Sequence, residues 1–368
     1  MKPIRLGVVG AGHLGRIHAR IASSLPAFEL LGIADPLAPA RDETAARHQI
    51  AAHADHRELL DHVDAAIIAT PTQLHRAVAL DFLSRGIHVL VEKPLAPTGV
   101  EAQELVSAAR QSGCVLQVGH VERFNPLLAL VAPRLGTPYQ ISCLRQGSFT
   151  FRSTDIGVVL DLMIHDIDLV LSIVRSPVVK IEAIGAALLG QHEDTAQAHL
   201  TFDSGCVATL TASRVAPIAA RTMQVWSPTA LATLDLATRT GTLVCPSLAV
   251  QRGEFDVERL DAAGRERLKQ SLTTDHLPVQ QLAAEPVDAI TAELDDFANS
   301  IRTGRAPRVG GEQGALAVEV AEEIVSCIAR SARHVVPLER RETLAPAVPA
   351  PHFVGRSWHV SSRRREAG

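Results

Sequence analysis

Short apolar runs alternate with amphipathic stretches through the first third of the chain. Ile4, Leu6, Val8 and Val9 make a compact apolar strand, and HLGRIHARIASSL from His13 then carries its apolar residues at helical spacing. FELLGIADP from Phe28, the run Ala65 to Ala69, IHVLVEKPL from Ile87 and CVLQVG from Cys114 read as further buried strands. Helical patterns lie between them in HRAVALDFLSRG and VEAQELVSAARQSG, while the stretch after Asp35 reads as a loop and short helices. Strands and helices in this alternation predict a doubly wound parallel sheet, with residues 1–121 as one domain.

The period then changes. ISCLRQGS, VVKIEAIGAAL, AQAHLTFDSGCVATLTASR and TMQVWSPTALATLDL alternate with period two, and Asp203, Ser204 and Gly205 supply a hairpin turn. Residues 122–340 therefore read as an α+β domain with a large, mostly antiparallel open sheet and one long helix, GVVLDLMIHDIDLVLSIV, placed before it. Residues 252–284 are polar and weakly periodic, predicting an extended strand and a loop. PVDAITAELDDFANSIRTG and the stretch near 312–332 are helical, the second long enough to pack back between the domains. Residues 341–368 form a proline- and arginine-rich tail that reads as a solvated end.

The turn after the first strand carries the first chemical signal. Gly10, Gly12 and Gly15 stand where a strand passes into a helix. Gly10 permits a tight turn, Gly12 lets backbone approach a pyrophosphate, and Gly15 lets the helix lie close to the strand. Phosphates would sit at the helix N-terminus, beside His13 and Leu14, held by free N–H groups and the helix dipole. Twenty residues beyond Gly15, the second strand ends at Asp35. A carboxylate there accepts from the adenosine ribose hydroxyls and repels a 2′-phosphate, so the N-terminal Rossmann sheet is expected to take NAD. Asp35 could alternatively begin a turn before Pro36.

Composition narrows the setting. The chain has 368 residues, 46% of them apolar and 21% charged, which suits a two-domain globular protein. Its formal charge of −4 gives no support to nucleic-acid binding. No apolar run reaches a membrane span, and the amino terminus enters a strand too soon for a signal peptide, so a cytoplasmic location is expected. Five scattered cysteines lack zinc-ligand spacing and read as reduced thiols, and no metal is expected.

Three further constellations carry chemistry. The strand built on Ala65 opens at Thr70, Pro71 and Thr72, the end of a parallel strand where cofactors pass. His75 follows, either to touch the nicotinamide ribose or to sit solvated in a first helical turn. Glu92, Lys93 and Pro94 leave a buried strand, where a glutamate and a lysine are costly unless paired or used. They could form a salt bridge, or the lysine could bond a substrate hydroxyl. In the long helix, Asp161, His165 and Asp168 share nearly one face of an otherwise apolar run. Arg123 and Asn125 are candidates for a diphosphate or sugar, or alternatively for an interdomain ion pair and a turn before Pro126.

Together the glycine loop, Glu92-Lys93-Pro94 and DLMIHDID from Asp161 resemble the glucose-fructose oxidoreductase, inositol dehydrogenase and MocA family. The resemblance covers residues 1–335 and implies a Rossmann domain, a C-terminal domain whose open sheet face builds a homodimer or homotetramer, and oxidation of a sugar hydroxyl. It implies a catalytic Lys93 with Asp161 and His165, and cofactor contacts from the glycine loop, Asp35, Thr70 to Thr72, His75 and Glu92. GHVERFNP from Gly119 and the unbroken DLMIHDIDLVL are similar to the subgroup that oxidises the 3-hydroxyl of UDP-linked N-acetylglucosamine in lipid A biosynthesis. The alternatives are an inositol, free-sugar or nucleotide-uronate dehydrogenase, an NAD-linked glycoside hydrolase, and a non-catalytic NAD sensor. For the dehydrogenase, His165 is expected to take the hydroxyl proton while Lys93 bonds the same oxygen.

Overall fold

The computed structural model describes residues 2–151, 155–254 and 257–332. The proline- and arginine-rich tail lies outside the described residues. Strands β1 (Ile4–Val9), β2 (Phe28–Ala34), β3 (Ala51–His53), β4 (Ala65–Ile68), β5 (His88–Glu92) and β6 (Leu116–Gly119) form a parallel sheet in the order β3-β2-β1-β4-β5-β6. Helices α1 (His13–Ala22), α2 (Ala38–His48), α3 (Thr72–Leu83) and α4 (Gly99–Ser112) supply crossovers. The strands read as unbroken apolar runs because helices cover both faces: all four residues of β4 are buried. Strand order reverses between β1 and β4, and the loops leaving their carboxyl ends part there to open a crevice.

The second sheet has eight strands. They are β7 (Gln140–Gln146), β8 (Val178–Ala186), β9 (Thr195–Phe202), β10 (Val207–Ser213), β11 (Ala220–Trp226), β12 (Leu231–Asp235), β13 (Thr240–Val244) and β14 (Val279–Ala283), in the order β14-β13-β12-β11-β7-β10-β9-β8. All neighbours are antiparallel except β7 and β10. One face is apolar and buried, with Cys143, Leu200, Leu210, Met223 and Leu234 pointing inward. The period-two alternation of the sequence is this two-faced sheet. Gly205, at φ +84°, closes the expected hairpin between β9 and β10.

Short helix α5 (Pro126–Val131) leads into the second sheet, and α6 (Ile164–Val174) packs on its buried face. The long helix lies between β7 and β8 instead of ahead of the sheet, and its first turn, Val159–Met163, is a π-helix. Residues 252–284 correct the expectation of a strand and a loop alone. After α7 (Leu248–Gln251) comes α8 (Ala262–Ser271), then a π-helical turn, Leu272–His276, and β14. Gly264 alone of α8 is buried, so no apolar stripe marks it. Its signal is the Asp261 cap, which accepts from Gly264 N at 2.6 Å.

Helices α9 (Ala289–Thr303) and α10 (Gly311–Ala332) return to the first sheet. Leu294, Phe297 and Ala298 join a core with Ile4, Leu6 and Ile21, and Val118 N donates to Val309 O at 3.0 Å. Residues 2–332 form one compact unit, with the late helices packed on the early sheet.

Candidate active site

The glycine loop is shaped by what each Cβ would meet. At Gly10, φ is +100° and a Cβ would strike the Ala69 carbonyl; at Gly15 it would run into the carbonyl of Gly10. Gly12 differs, because nothing stands within 4 Å of its Cβ position. Packing explains the first and third glycines. The space over the second suits close approach of a ligand. The first N–H groups of α1 carry no side-chain cap, leaving a helix N-terminus for phosphate. The Asp35 carboxylate accepts from Ala11 N at 2.7 Å and Leu37 N at 2.8 Å. The turn before Pro36 therefore forms, and the same carboxylate fastens the glycine loop. These features fit a dinucleotide.

Leu14, Thr70, Pro71, Thr72, Glu92, Lys93 and Asp161 are among the residues that line one cavity of about 270 Å³. His75 does not face it. Only 1% exposed, its ring sets Nδ1 2.8 Å from Pro94 O and Nε2 2.9 Å from Thr70 O. The expected cofactor contact is thus corrected to a brace between the β4 and β5 loops, with no ring nitrogen left for a ribose. Burial pushes its basicity down against the pull of the two carbonyls, and the neutral ring donates its one N–H to a single carbonyl at a time.

Glu92 and Lys93 turn to opposite sides and make no side-chain ion pair with each other. Lys93 Nζ donates to Asp161 O at 2.7 Å and lies 3.2 Å from Asp161 Oδ1. Glu92 Oε1 lies 2.7 Å from His18 Nε2 inside the molecule. Burial raises the Glu92 carboxyl, but the His18 bond and the Lys93 charge outweigh it and hold it below the usual range. Facing them is Glu293 of α9, buried, with neither oxygen partnered among the described residues. Burial and then the Glu92 charge push Glu293 well above the usual carboxylate range, so it is a neutral acid. Ligand atoms of His18, Glu92 and Glu293 fall within 4.8 Å of one another. The 2.7 Å pair is closer than the roughly 3.3 Å that two ligands keep around zinc, which makes a hydrogen-bonded pair facing a neutral acid the better description.

His165 stands one turn beyond Asp161, with Nδ1 enclosed and unpartnered among the described residues. Burial drives its imidazole well below the ordinary histidine value, and the charges of Lys93 and Arg145 add to this. It is a neutral ring, ready to accept a proton. His120 meets it edge-on at 6.3 Å between centroids, fully buried, without a hydrogen-bond partner among the described residues and likewise neutral through burial. Of the helix face only Asp161 lines the cavity; His165 is not among its lining residues, and Asp168 is buried against Arg123, Oδ1 to Nη1, at 3.2 Å.

The two residues nominated for a diphosphate are tied down. Arg123 Nη2 also donates to Arg308 O at 3.3 Å. Asn125 caps α5 by accepting from Leu127 N at 3.1 Å, and its amide donates to Leu236 O. The ion-pair and turn readings hold for both. Sequence reasoning passed over His18, His120, Arg145 and Glu293, which come together only through the fold.

Residues 4–120 match the family described as oxidoreductase family, NAD-binding Rossmann fold, and residues 133–229 match the GFO/IDH/MocA C-terminal domain. The UDP-N-acetylglucosamine 3-dehydrogenase of Acidithiobacillus ferrooxidans is 34% identical over 333 residues, 87% of this chain and 97% of that protein. The chain belongs to the GFO/IDH/MocA family. As a member it is an NAD-binding oxidoreductase. Another relative in the family, the scyllo-inositol 2-dehydrogenase (NAD(+)) of Bacillus subtilis, is 30% identical over 58% of this chain and 68% of its own length. A solved structure of the Acidithiobacillus enzyme superposes with a TM-score of 0.78, covering 90% of this chain and 99% of that one at 31% identity. Levoglucosan dehydrogenase in complex with NADH and levoglucosan shares the GFO/IDH/MocA-like fold at 18% identity, with a TM-score of 0.75 over 89% of this chain and 98% of its own. Among the described residues no helix is long and apolar enough to cross a membrane.

Proposed function

We propose that the chain oxidises the 3-hydroxyl of the N-acetylglucosamine unit of a UDP-linked sugar to a ketone, which a later transamination would consume. The observation that carries the chemistry is Lys93 Nζ held on Asp161 at 2.7 Å in a cavity shared with the glycine loop and the Thr70 turn. The near full-length relationship to the Acidithiobacillus dehydrogenase supports the substrate.

In this reading the glycine loop and α1 hold the pyrophosphate and Asp35 holds the adenosine ribose. Bound NAD supplies the acceptor for the hydride. His165, neutral at physiological pH, accepts the hydroxyl proton. Lys93 directs a charged N–H at the same oxygen and stabilises the alkoxide as it develops. Asp161 fixes the lysine and contacts a neighbouring hydroxyl. His120 closes the back of His165 against water.

The early sheet with its crossovers acts as the cofactor domain, and residues from 122 onward as the substrate and assembly domain. The open face of the second sheet carries a row formed by Val207, Gln140, Trp226, Leu231, Val244 and Val279, in register across six strands. Val207, Trp226 and Val279 are exposed there, which supports a homodimer or homotetramer built on this face. The free cysteines suit the reducing cytoplasm.

The test is NADH formation, followed by absorbance, with UDP-N-acetylglucosamine beside myo-inositol, scyllo-inositol, free N-acetylglucosamine and its UDP-linked uronic acid. Turnover confined to the first supports the reading. Preference for an inositol, or release of free sugar without net NADH, overturns it.

A further inference from the structure

Among the described residues, the cations around the site divide into those hydrogen-bonded to a carboxylate or carbonyl and one, Arg221, that is not. Lys93 is on Asp161, and Arg123 is on Asp168 and the Arg308 carbonyl. Arg145 spends Nε and Nη2 on Asp166 and Nη1 on Glu122, with its side chain 4% exposed. Arg221 stands directly across the β7–β11 ladder from Arg145, so both side chains leave the same face of the sheet. Its side chain is 58% exposed, and its nearest carboxylate oxygen, Glu122 Oε1, is 3.8 Å from Nη1, beyond hydrogen-bond reach. That oxygen already accepts from Arg145 at 3.0 Å. The guanidinium therefore makes no hydrogen bond to any described residue. Its charge is nonetheless among those that depress the His165 imidazole, as it also acts on Asp166 beside it.

An open arginine fork directly across the ladder from Arg145, whose own guanidinium holds Asp166 next to His165, yet outside the buried ion pairs, has the chemistry of an anion clamp. Two parallel N–H groups match two phosphate oxygens, a geometry that lysine does not reproduce. The anion of a nucleotide-linked sugar leaves the ring at C1, two carbons from C3. A residue holding it has to stand about one sugar ring from the base, as a neighbour in charge but not in contact.

We propose that Arg221 binds the diphosphate of the substrate and so selects a nucleotide-linked sugar over a free sugar or an inositol. This rests on the UDP-sugar reading given above. Arg221 is a specificity-determining residue here, and Lys93 and His165 do the chemistry.

The experiment uses the full chain with saturating NAD and compares the wild type, Arg221→Ala and Arg221→Lys. UDP is the binding probe, by calorimetry and as a competitive inhibitor, and UDP-N-acetylglucosamine is the substrate. One charge-assisted fork is worth about 10- to 100-fold in affinity. Arg221→Ala should raise the Kd of UDP and the KM of the UDP-sugar by that factor, with a far smaller change in kcat; Arg221→Lys should recover part of the loss. Equal melting temperatures establish that the variants are folded, and UDP binding is read even where turnover is slow. Unchanged UDP affinity in Arg221→Ala, with a wild type that oxidises the UDP-sugar, overturns the proposal and leaves the substrate reading intact. A wild type that neither binds UDP nor oxidises the UDP-sugar overturns both.

Discussion

Replacing Gly12 with alanine separates cofactor binding from folding. Backbone angles of φ −69° and ψ −165° are extended, so alanine adopts them without strain, and no atom stands within 4 Å of the new methyl. The cofactor-free protein should melt within about 1 °C of the wild type, since a surface change away from packing moves stability by under about 0.5 kcal/mol. Bound NAD behaves differently. At one hundred times its Kd it stabilises the wild type by about 2.7 kcal/mol, a rise of roughly 5 °C for a chain of this size. A methyl between the loop backbone and the pyrophosphate should weaken NAD at least about tenfold, removing about 1.4 kcal/mol of that rise at the same NAD concentration. Gly15→Ala is the opposite case, because its methyl runs into the Gly10 carbonyl. It should cost about 1–3 kcal/mol even without NAD. Paired melting curves with and without NAD, plus calorimetric titration, read both. If Gly12→Ala binds NAD as tightly as the wild type, or destabilises the free protein as much as Gly15→Ala, the cradle is misassigned.

Four further outcomes follow from the site. Lys93→Met should lower kcat about 10²- to 10³-fold with little change in NAD affinity, as loss of one donor to the developing charge does. Burial and then the Lys93 charge lower His165, so the acid limb of the wild-type kcat/KM profile should lie below pH 6.5; in Lys93→Met it should move up in pH. His165→Ala should lose about 10²- to 10⁴-fold in turnover, measured at saturating NAD and substrate, while NAD binding holds. Glu293 is neutral in the fold but ionises in the unfolded chain near pH 4.3, so unfolding releases a proton and stability falls as pH rises towards its raised folded value. Glu293→Gln should therefore exceed the wild type in urea unfolding by a margin that widens up to about 1.4 kcal/mol per pH unit; a margin equal at pH 6 and pH 8 contradicts a neutral acid.

Much of the architecture was legible because burial leaves periodicity. The β4 and β5 runs announce a sheet covered on both faces, and alternation in β9 and β10 announces one covered on a single face. Helix α8 was not legible because it buries almost nothing, and no apolar stripe marks a helix lying on the surface. Near the cavity, Lys93 and Asp161 stood out as charges inside apolar runs, and their contact bears on that reading directly. His75 misled because a histidine after a strand end has the same pattern whether it faces a ligand or the loop behind it. Glu293 lies 201 positions beyond Glu92 and sits in an ordinary amphipathic helix, so only the packing of α9 on α1 reveals the pair. Arg221 alternates correctly along β11, and the absence of a hydrogen bond to its guanidinium among the described residues is a property of neighbours brought in by the fold.

The central claim is that a hydrogen on the sugar carbon bearing the oxidised hydroxyl passes to NAD under the hands of Lys93 and His165. UDP-N-acetylglucosamine carrying deuterium at C3 tests it in a single turnover with stoichiometric enzyme and NAD, the recovered NADH being weighed by mass spectrometry. The account predicts NADH heavier by one deuterium from the wild type and none from Lys93→Met on the same timescale. NADH formed without the label, or label transfer that survives loss of Lys93 at the wild-type rate, contradicts it.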